Sequence, residues 1–397
     1  MNPNKEEALD KEALWTKIRE VVQNPLPEIQ RWKTRTGGKV FGCLSCMPYF
    51  VPEEILHAAG GLPVGVWGGA IAISEADARF QTFSCSMARS SLEMGLKGAF
   101  NVCDGMVFPS TCDAFQNLSE VWRRSPITPS TCFDIVMPRQ SDRASAVAFM
   151  DMVLTRFRKE VETFTGRNIT DESLHQSIKV YNEERRLLRT IDHLRADDPH
   201  LISGKDMMEL VLSSTFVPKQ EHVVLLRGLI DVAKERSSGK KKGAPPFRIF
   251  LAGVMPRPVE VLEILEGAGA RIVGDRLGMG SLYYSLNIQE KGNPVKALAE
   301  GYLTYPPCST IHKDPASRAE DIIEQAKSSH AHGVVMLGMK FCEPEFFDYP
   351  DLKQRLEHAG LPALVLETEL GMSATGPVRT RIEAFLETLK ANMEERG

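Results

Sequence analysis

The fold class that this sequence predicts is α/β: two Rossmann/flavodoxin-like parallel-sheet domains with a helical segment between them. Three observations carry that expectation. Short apolar runs bounded by Gly or Pro recur in the first third of the chain, amphipathic patterns fill the gaps between them, and the same alternation returns after a long stretch that is helical only. Strands apolar on both faces that alternate with helices mark a parallel sheet covered on both sides. At 397 residues the chain exceeds one ordinary core, so more than one domain is expected.

Residues 1–36 read as an N-terminal helical segment, and residues 37–150 as the first α/β domain. Its strands are "KVFGCLS" (39–45), "PVGVWGG" (63–69), "GMVFPST" (105–111) and "FDIVMP" (133–138). Between them lie the helical patterns "PEEILHAAG" and "SMARSSLEMGLKG", where Leu92, Leu96 and Phe100 recur at a spacing of four. Residues 151–246 read as a helical segment and linker. In "TDESLHQSIKVYNEERRLLRTIDHL", Thr170 is placed to cap the helix, Asp171 and Glu172 suit its first turn, and Leu174, Ile178, Tyr181, Leu188 and Ile191 form one apolar stripe. "SSGKKKGAPP" (237–246) has the composition of an exposed linker. Residues 247–397 form the second α/β domain, with "RIFLAGVM", "RIVGD", "GVVMLGMKFC" and "PALVLETEL" as strands and "PVEVLEILEGAG" as a helix.

Lys and Arg total 48 against 52 Asp and Glu, a net charge of -4, and no basic block is long enough to follow a phosphate backbone. Nucleic acid is therefore not the expected partner. The N-terminal "MNPNKEEALDKEALW" lacks the apolar stretch of a signal peptide, and no window reaches the ~18 uninterrupted apolar residues of a membrane span. A cytoplasmic protein without a membrane partner is expected.

Eight cysteines in a chain of this length are too sparse for a disulfide scaffold. Their positions are informative. In open α/β sheets, sites form beyond the carboxyl ends of strands, where helix N-termini present unpaired N–H groups. Cys112 follows "GMVFPST" and Cys342 follows "GVVMLGMKF", one such end in each domain. Cys85 opens a helix, where the macrodipole is expected to lower the thiol pKa. Three thiolates from two facing domains can converge on one metal cluster. Zinc is disfavoured, because the only C-x2-C (Cys43, Cys46) has no second pair behind it. Three ligands would leave one iron of a [4Fe–4S] cube open to substrate. No G-x-S-x-G elbow or G-x-x-x-x-G-K-[ST] loop is present, and "GDRLGMGS" (274–281) reads as a loop.

"VPEEILHAAGGLPVGVWGG", "FSCSMARSSLEMGLKGAF", "DGMVFPSTCDAFQNLSEVW" and "GVVMLGMKFCEPEFFDYPDLKQRLEHAGLPALVLETEL" together resemble the family of 2-hydroxyacyl-CoA dehydratase and benzoyl-CoA reductase subunits, from about residue 37 to 387. The resemblance implies an oxygen-sensitive iron–sulfur subunit that pairs with a homologous larger subunit. It also implies a [4Fe–4S] cluster held by Cys85 in "SCS", Cys112 in "STCD" and Cys342 in "KFCEP". A separate ATP-hydrolysing iron–sulfur activator would inject the electron, which accounts for the missing ATP loop. The substrate would be an acyl-CoA: one electron makes a ketyl radical, the 2-hydroxyl leaves, and a 2-enoyl-CoA results. In the reductase branch the electrons reduce an aromatic ring. "LPVGVWGG" and "MKFCEPEFFDYP" resemble the dehydratase beta subunit, and "DGMVFPSTCDAFQNLSEVW" looks at least as close to the benzoyl-CoA reductase C subunit.

Glu54 matches an acidic position of the family and is the candidate base or substrate-orienting group. His57 is a candidate for a CoA phosphate or for packing, and Arg89 for neutralising an anionic cluster or for a surface ion pair. Cys43 and Cys46, with Cys308, could hold a second cluster, as in homodimeric double-cubane relatives. Cys103 and Cys132 are expected in the core. A non-enzymatic iron–sulfur carrier is the alternative from another class.

Overall fold

The computed structural model describes residues 11–44, 50–237, 247–254, 259–311, 313–314, 316–371 and 375–395. Two helices open it, α1 (Lys11–Gln23) and α2 (Leu26–Thr36). α2 stops at Gly37, whose φ of 63° lets its N–H reach the Lys33 carbonyl. The first sheet then forms from β1 (Val40–Leu44), β2 (Leu62–Val66), β3 (Gly105–Pro109) and β4 (Cys132–Ile135), with α3 (Glu53–Ala58), α4 (Ser86–Leu96) and α5 (Asp113–Arg124) as its connections. Every pairing is parallel and the order is β2-β1-β3-β4. All residues of β1 and β3 are buried, which is why these strands read as continuous apolar runs.

The helical segment comprises α6 (Ala144–Thr165), α7 (Asp171–Asp197), α8 (Gly204–Ser214) and α9 (Lys219–Ser237). Thr170 caps α7 by accepting from the Ser173 N–H at 3.1 Å, and the five stripe residues are all buried. The rest of the expected linker, 238–246, lies outside the described residues.

The second sheet consists of β5 (Phe247–Gly253), β6 (Ala270–Leu277), β7 (Gly333–Met339) and β8 (Ala363–Thr368) in the order β6-β5-β7-β8, again all parallel. The helices α10 (Glu260–Gly267), α12 (Ser317–Ser328), α13 (Glu343–His358) and α14 (Gly376–Glu394) pack on it, while α11 (Pro294–Tyr302) packs against α6 and α7. The loop expected at 274–281 begins later than its glycines indicate. A register shift at Ile249/Phe250 lets Gly274–Leu277 keep pairing with β5, so only the residues after Leu277 turn away.

One apolar core runs from α1 through both sheets to α14, while a smaller cluster around Phe250, Met336, Tyr349 and Leu356 closes the other face of the second sheet. Among the described residues, no helix is long and apolar enough to cross a membrane. Each sheet changes direction after its first strand, which leaves a crevice at the carboxyl ends between β1 and β3 and between β5 and β7.

Candidate metal centre

Cys112 follows β3 and Cys342 follows β7, so each stands at the end of the third strand of its own sheet. Pro109, with no N–H for the ladder, ends β3. Cys112 then takes an extended conformation (φ -148°, ψ 172°) and becomes the N-cap of α5, whose buried face of Phe115, Leu118 and Trp122 fixes the helix axis. After β7 the chain turns at Phe341, a non-glycine residue with φ 63°, a conformation that costs an L-residue about 1 kcal/mol. That turn delivers Cys342 as the N-cap of α13. Cys85 is the N-cap of α4. The loop leading to it is tied to the same helix by buried Glu93, which accepts from the Ser74 and Ala76 N–H groups at 3.1 and 2.8 Å. Burial works to raise the Glu93 carboxyl, but these amides and Lys97 overcome it and hold the group at about 2.

All three candidate cysteines are thus N-caps, and each sulfur faces amides of its own first turn: Met87 and Ala88 for Cys85, Ala114 and Phe115 for Cys112, Glu345 for Cys342. The thiols also sense one another. Burial and then Cys112 raise Cys85, while burial, Glu345, Cys85 and Cys112 raise Cys342. Three cysteines spread over 258 residues of chain therefore lie within electrostatic reach of one another, two from the first sheet and one from the second. The expected lowering of the Cys85 pKa is reversed. Loss of water around the sulfur outweighs the helix amides and pushes it up to about 12.

Among the described residues, no three His, Cys, Asp or Glu side chains are gathered for a single metal ion. A lone zinc at ~2.3 Å from each sulfur would draw its thiolates close together, whereas a cube of four irons takes them at separate corners and so further apart. Three shielded thiols, each with helix amides ready to offset negative charge, fit the wider group.

Several residues at this site escaped the sequence reading. Arg139 donates to the carbonyls of Thr111 and Thr310, and its charge opposes the burial that raises Cys112. The Ser86 hydroxyl, one residue after Cys85, accepts from the Leu370 N–H at 3.0 Å and ties α4 to the end of β8. Glu345 is fully buried beside Cys342, held by Arg318 at 2.7 and 2.9 Å and by the Ser309 hydroxyl at 2.5 Å. The only signal for Arg139 was its place just beyond a strand end, in "MPRQ".

The remaining candidates are placed elsewhere or otherwise engaged. Glu54 is fully buried in the first turn of α3, where it accepts from Arg185 at 2.7 Å and from the Tyr302 hydroxyl at 2.8 Å. Beside it, Glu53 lies 3.4 Å from Lys219, which also meets Glu184 at 2.9 Å. Burial raises the Glu53 carboxyl and opposes the Lys219 charge, yet Glu184 and Glu53 together hold that ammonium protonated. These ion pairs join α3 of the first sheet, α7 and α9 of the helical segment, and Tyr283 and Tyr302 of the second half. His57 hydrogen-bonds Ser177 and Gln220, both at 2.9 Å, and lines a cavity with Gly60 and Gly61 at the amino end of β2, whereas Cys112 lies beyond the carboxyl end of β3. Arg89 is committed to Asp77 through bonds of 2.8 to 3.0 Å, the ion-pair reading rather than the cluster-neutralising one.

Cys43 is buried in β1, its thiol on the Phe41 carbonyl at 3.6 Å, and Cys308 is buried 3.4 Å from the Thr310 hydroxyl. Cys46 lies outside the described residues. Cys103 is buried as expected, and Cys132 is only half-buried at the start of edge strand β4.

Comparison with known proteins places the chain in a family. The family model for the 2-hydroxyglutaryl-CoA dehydratase D-component matches residues 48–389. The (R)-phenyllactyl-CoA dehydratase beta subunit of Clostridium sporogenes is 31% identical over 372 residues, covering 94% of this chain and 97% of its own. The beta subunit of lactoyl-CoA dehydratase from Anaerotignum propionicum is 28% identical over 95% of this chain and 99% of its own. The benzoyl-CoA reductase C subunit of Thauera aromatica is 28% identical over 87% and 90%. With a family match over most of its length, and relatives that are subunits of dehydratases and of a reductase, this chain belongs to the 2-hydroxyglutaryl-CoA dehydratase D-component family as an enzyme subunit.

Proposed function

We propose that the chain is the [4Fe–4S] subunit of an ATP-activated 2-hydroxyacyl-CoA dehydratase that works in the cytoplasm. Cys85, Cys112 and Cys342 hold the cluster, the enzyme is completed by a homologous larger subunit, and an ATP-hydrolysing iron–sulfur activator supplies the electron. The reaction is loss of water from an (R)-2-hydroxyacyl-CoA to give a 2-enoyl-CoA by way of a ketyl radical. What supports this reading is the family match over residues 48–389, together with three helix-capping cysteines from two sheets whose thiols influence one another.

When bound, the group would supply a low-potential electron and a Lewis acid for substrate oxygen. The chain's own residues do the rest. First-turn amides of α4, α5 and α13 offset the negative charge of the ligated sulfurs, as does Arg139 at the Cys112 loop. Phe83 and Phe341, exposed beside Cys85 and Cys342, are the apolar side chains that a partner protein would cover, and covering them keeps water from the site. Glu54, enclosed by Arg185 and Tyr302, acts as a positioning residue that holds α3 in register with the second half.

The test is anaerobic co-production with a homologous larger subunit and an activator, followed by turnover of phenyllactyl-, lactoyl-, 2-hydroxyglutaryl- and benzoyl-CoA. Dehydration of a 2-hydroxyacyl thioester with ATP, lost in Cys85→Ala, Cys112→Ala and Cys342→Ala, is the expected result. Ring reduction of benzoyl-CoA instead would favour the second reading, which the similarity to the benzoyl-CoA reductase C subunit supports. Electron uptake without turnover of any thioester would point to a carrier.

A further inference from the structure

We propose that Arg139 and the turn closed by the Cys308–Ile311 bridge form a latch that sets Cys112 of the first sheet at its working distance from Cys342 of the second. The inference rests on the cluster reading above and adds a positioning device to it.

Arg139 follows β4, in the first half of the chain. One of its nitrogens, Nη1, donates to two carbonyls that belong to different halves, Thr111 and, at 3.2 Å, Thr310. The Thr111 carbonyl is part of the peptide group that leads into Cys112, so the first bond fixes that peptide plane. Thr310 sits in a turn drawn tight by an antiparallel bridge between Cys308 and Ile311. Its neighbour in the same turn, Ser309, donates to the Glu345 carboxylate at 2.5 Å. Glu345 lies in the first turn of α13 with its N–H on the Cys342 carbonyl at 3.1 Å, and Arg318 grips its carboxylate from the other side. A path of hydrogen bonds, joined by the Ser309–Thr310 peptide, therefore leads from the Cys112 peptide through Arg139, Thr310, Ser309 and Glu345 to Cys342.

Neither sheet alone can define the Cys112 to Cys342 distance, because the two cysteines belong to separate ladders with no strand pairing between them. A rigid strut across the crevice supplies what the ladders lack. A planar guanidinium with fixed donor directions suits that task better than a flexible ammonium.

The experiment uses the full-length chain as wild type, Arg139→Ala and Arg139→Lys. Two quantities are read: loss of iron to a chelator after anaerobic loading, and amide hydrogen exchange in the metal-free chain. In Arg139→Ala, iron should leave about tenfold faster, the lower end of what removal of an outer-shell partner costs a metal site. Arg139→Lys should fall between. In the metal-free chain, Arg139→Ala should quicken exchange at Cys112 and in the 308–311 turn together, with α14 unchanged. Iron loss at the wild-type rate, exchange quickened on one side only, or a general rise that includes α14 would each overturn the latch. Wild type that takes up no iron would overturn the cluster reading instead, and the paired exchange result would still decide whether the strut exists.

Discussion

The two sheets have the same strand order and the same cysteine position at the end of the third strand, yet their second-to-third strand connections differ. In the first half that connection is α4 with the loop before it, and it presents Cys85. In the second half the corresponding gap, between β6 and β7, holds α11 and α12, and it presents Tyr283, Tyr302 and the Cys308 turn. A thiol at the third strand is thus a consequence of sheet topology, since that strand borders the crevice where direction reverses. The third thiol is a property of one crossover. The candidate thiols are therefore divided unevenly, two from the first half and one from the second.

Removing either matched cysteine gives the largest effect expected. Cys112→Ser and Cys342→Ser should lose iron to the same extent, while Cys308→Ala, in the corresponding crossover, should keep the full complement. Iron and sulfide counts under strict anaerobiosis decide it; iron lost on removing Cys308 would break the asymmetry and favour a second cluster.

Next is the joint between the halves. Arg185→Ala strands the fully buried Glu54 without its 2.7 Å partner, and should cost about 3–5 kcal/mol in chemical unfolding of the metal-free chain. A cost below 1 kcal/mol, on the order of an exposed pair, would mean that the halves do not depend on this joint.

The smallest effect concerns the loop before Cys85. Glu93→Gln should cost about 2 kcal/mol at neutral pH, since the carboxylate accepts several bonds and an amide cannot replace its charge. Its folded-state pKa lies below the ordinary 4.5, so its contribution is complete above 4.5 and drains away as pH falls toward 2. The wild-type advantage over Glu93→Gln should accordingly shrink through that window in acid unfolding measured by circular dichroism, and a constant difference would refute the assignment.

Much of this was legible from the residues. β1, β3 and β7 declared themselves because strands buried on both faces must be apolar throughout, and Thr170 because an N-cap needs a short acceptor at one position. The positions of Cys112 and Cys342 beyond strand ends, and of Cys85 at the start of a helix, were legible from the apolar runs and motifs. What stayed hidden depends on tertiary approach. Nothing local to "MPRQ" says that Arg139 reaches a turn 171 residues away, or that Glu54 meets Arg185 and Tyr302. The Cys85 pKa was misjudged for the same reason, because burial is set by the whole fold and the helix end by a few neighbours.

The core that runs from α1 to α14 counts Cys85 among its buried residues and has Cys112 and Cys342 packed against it. On the proposed function, the receptacle for the iron is therefore built into the same packing that joins the two sheets.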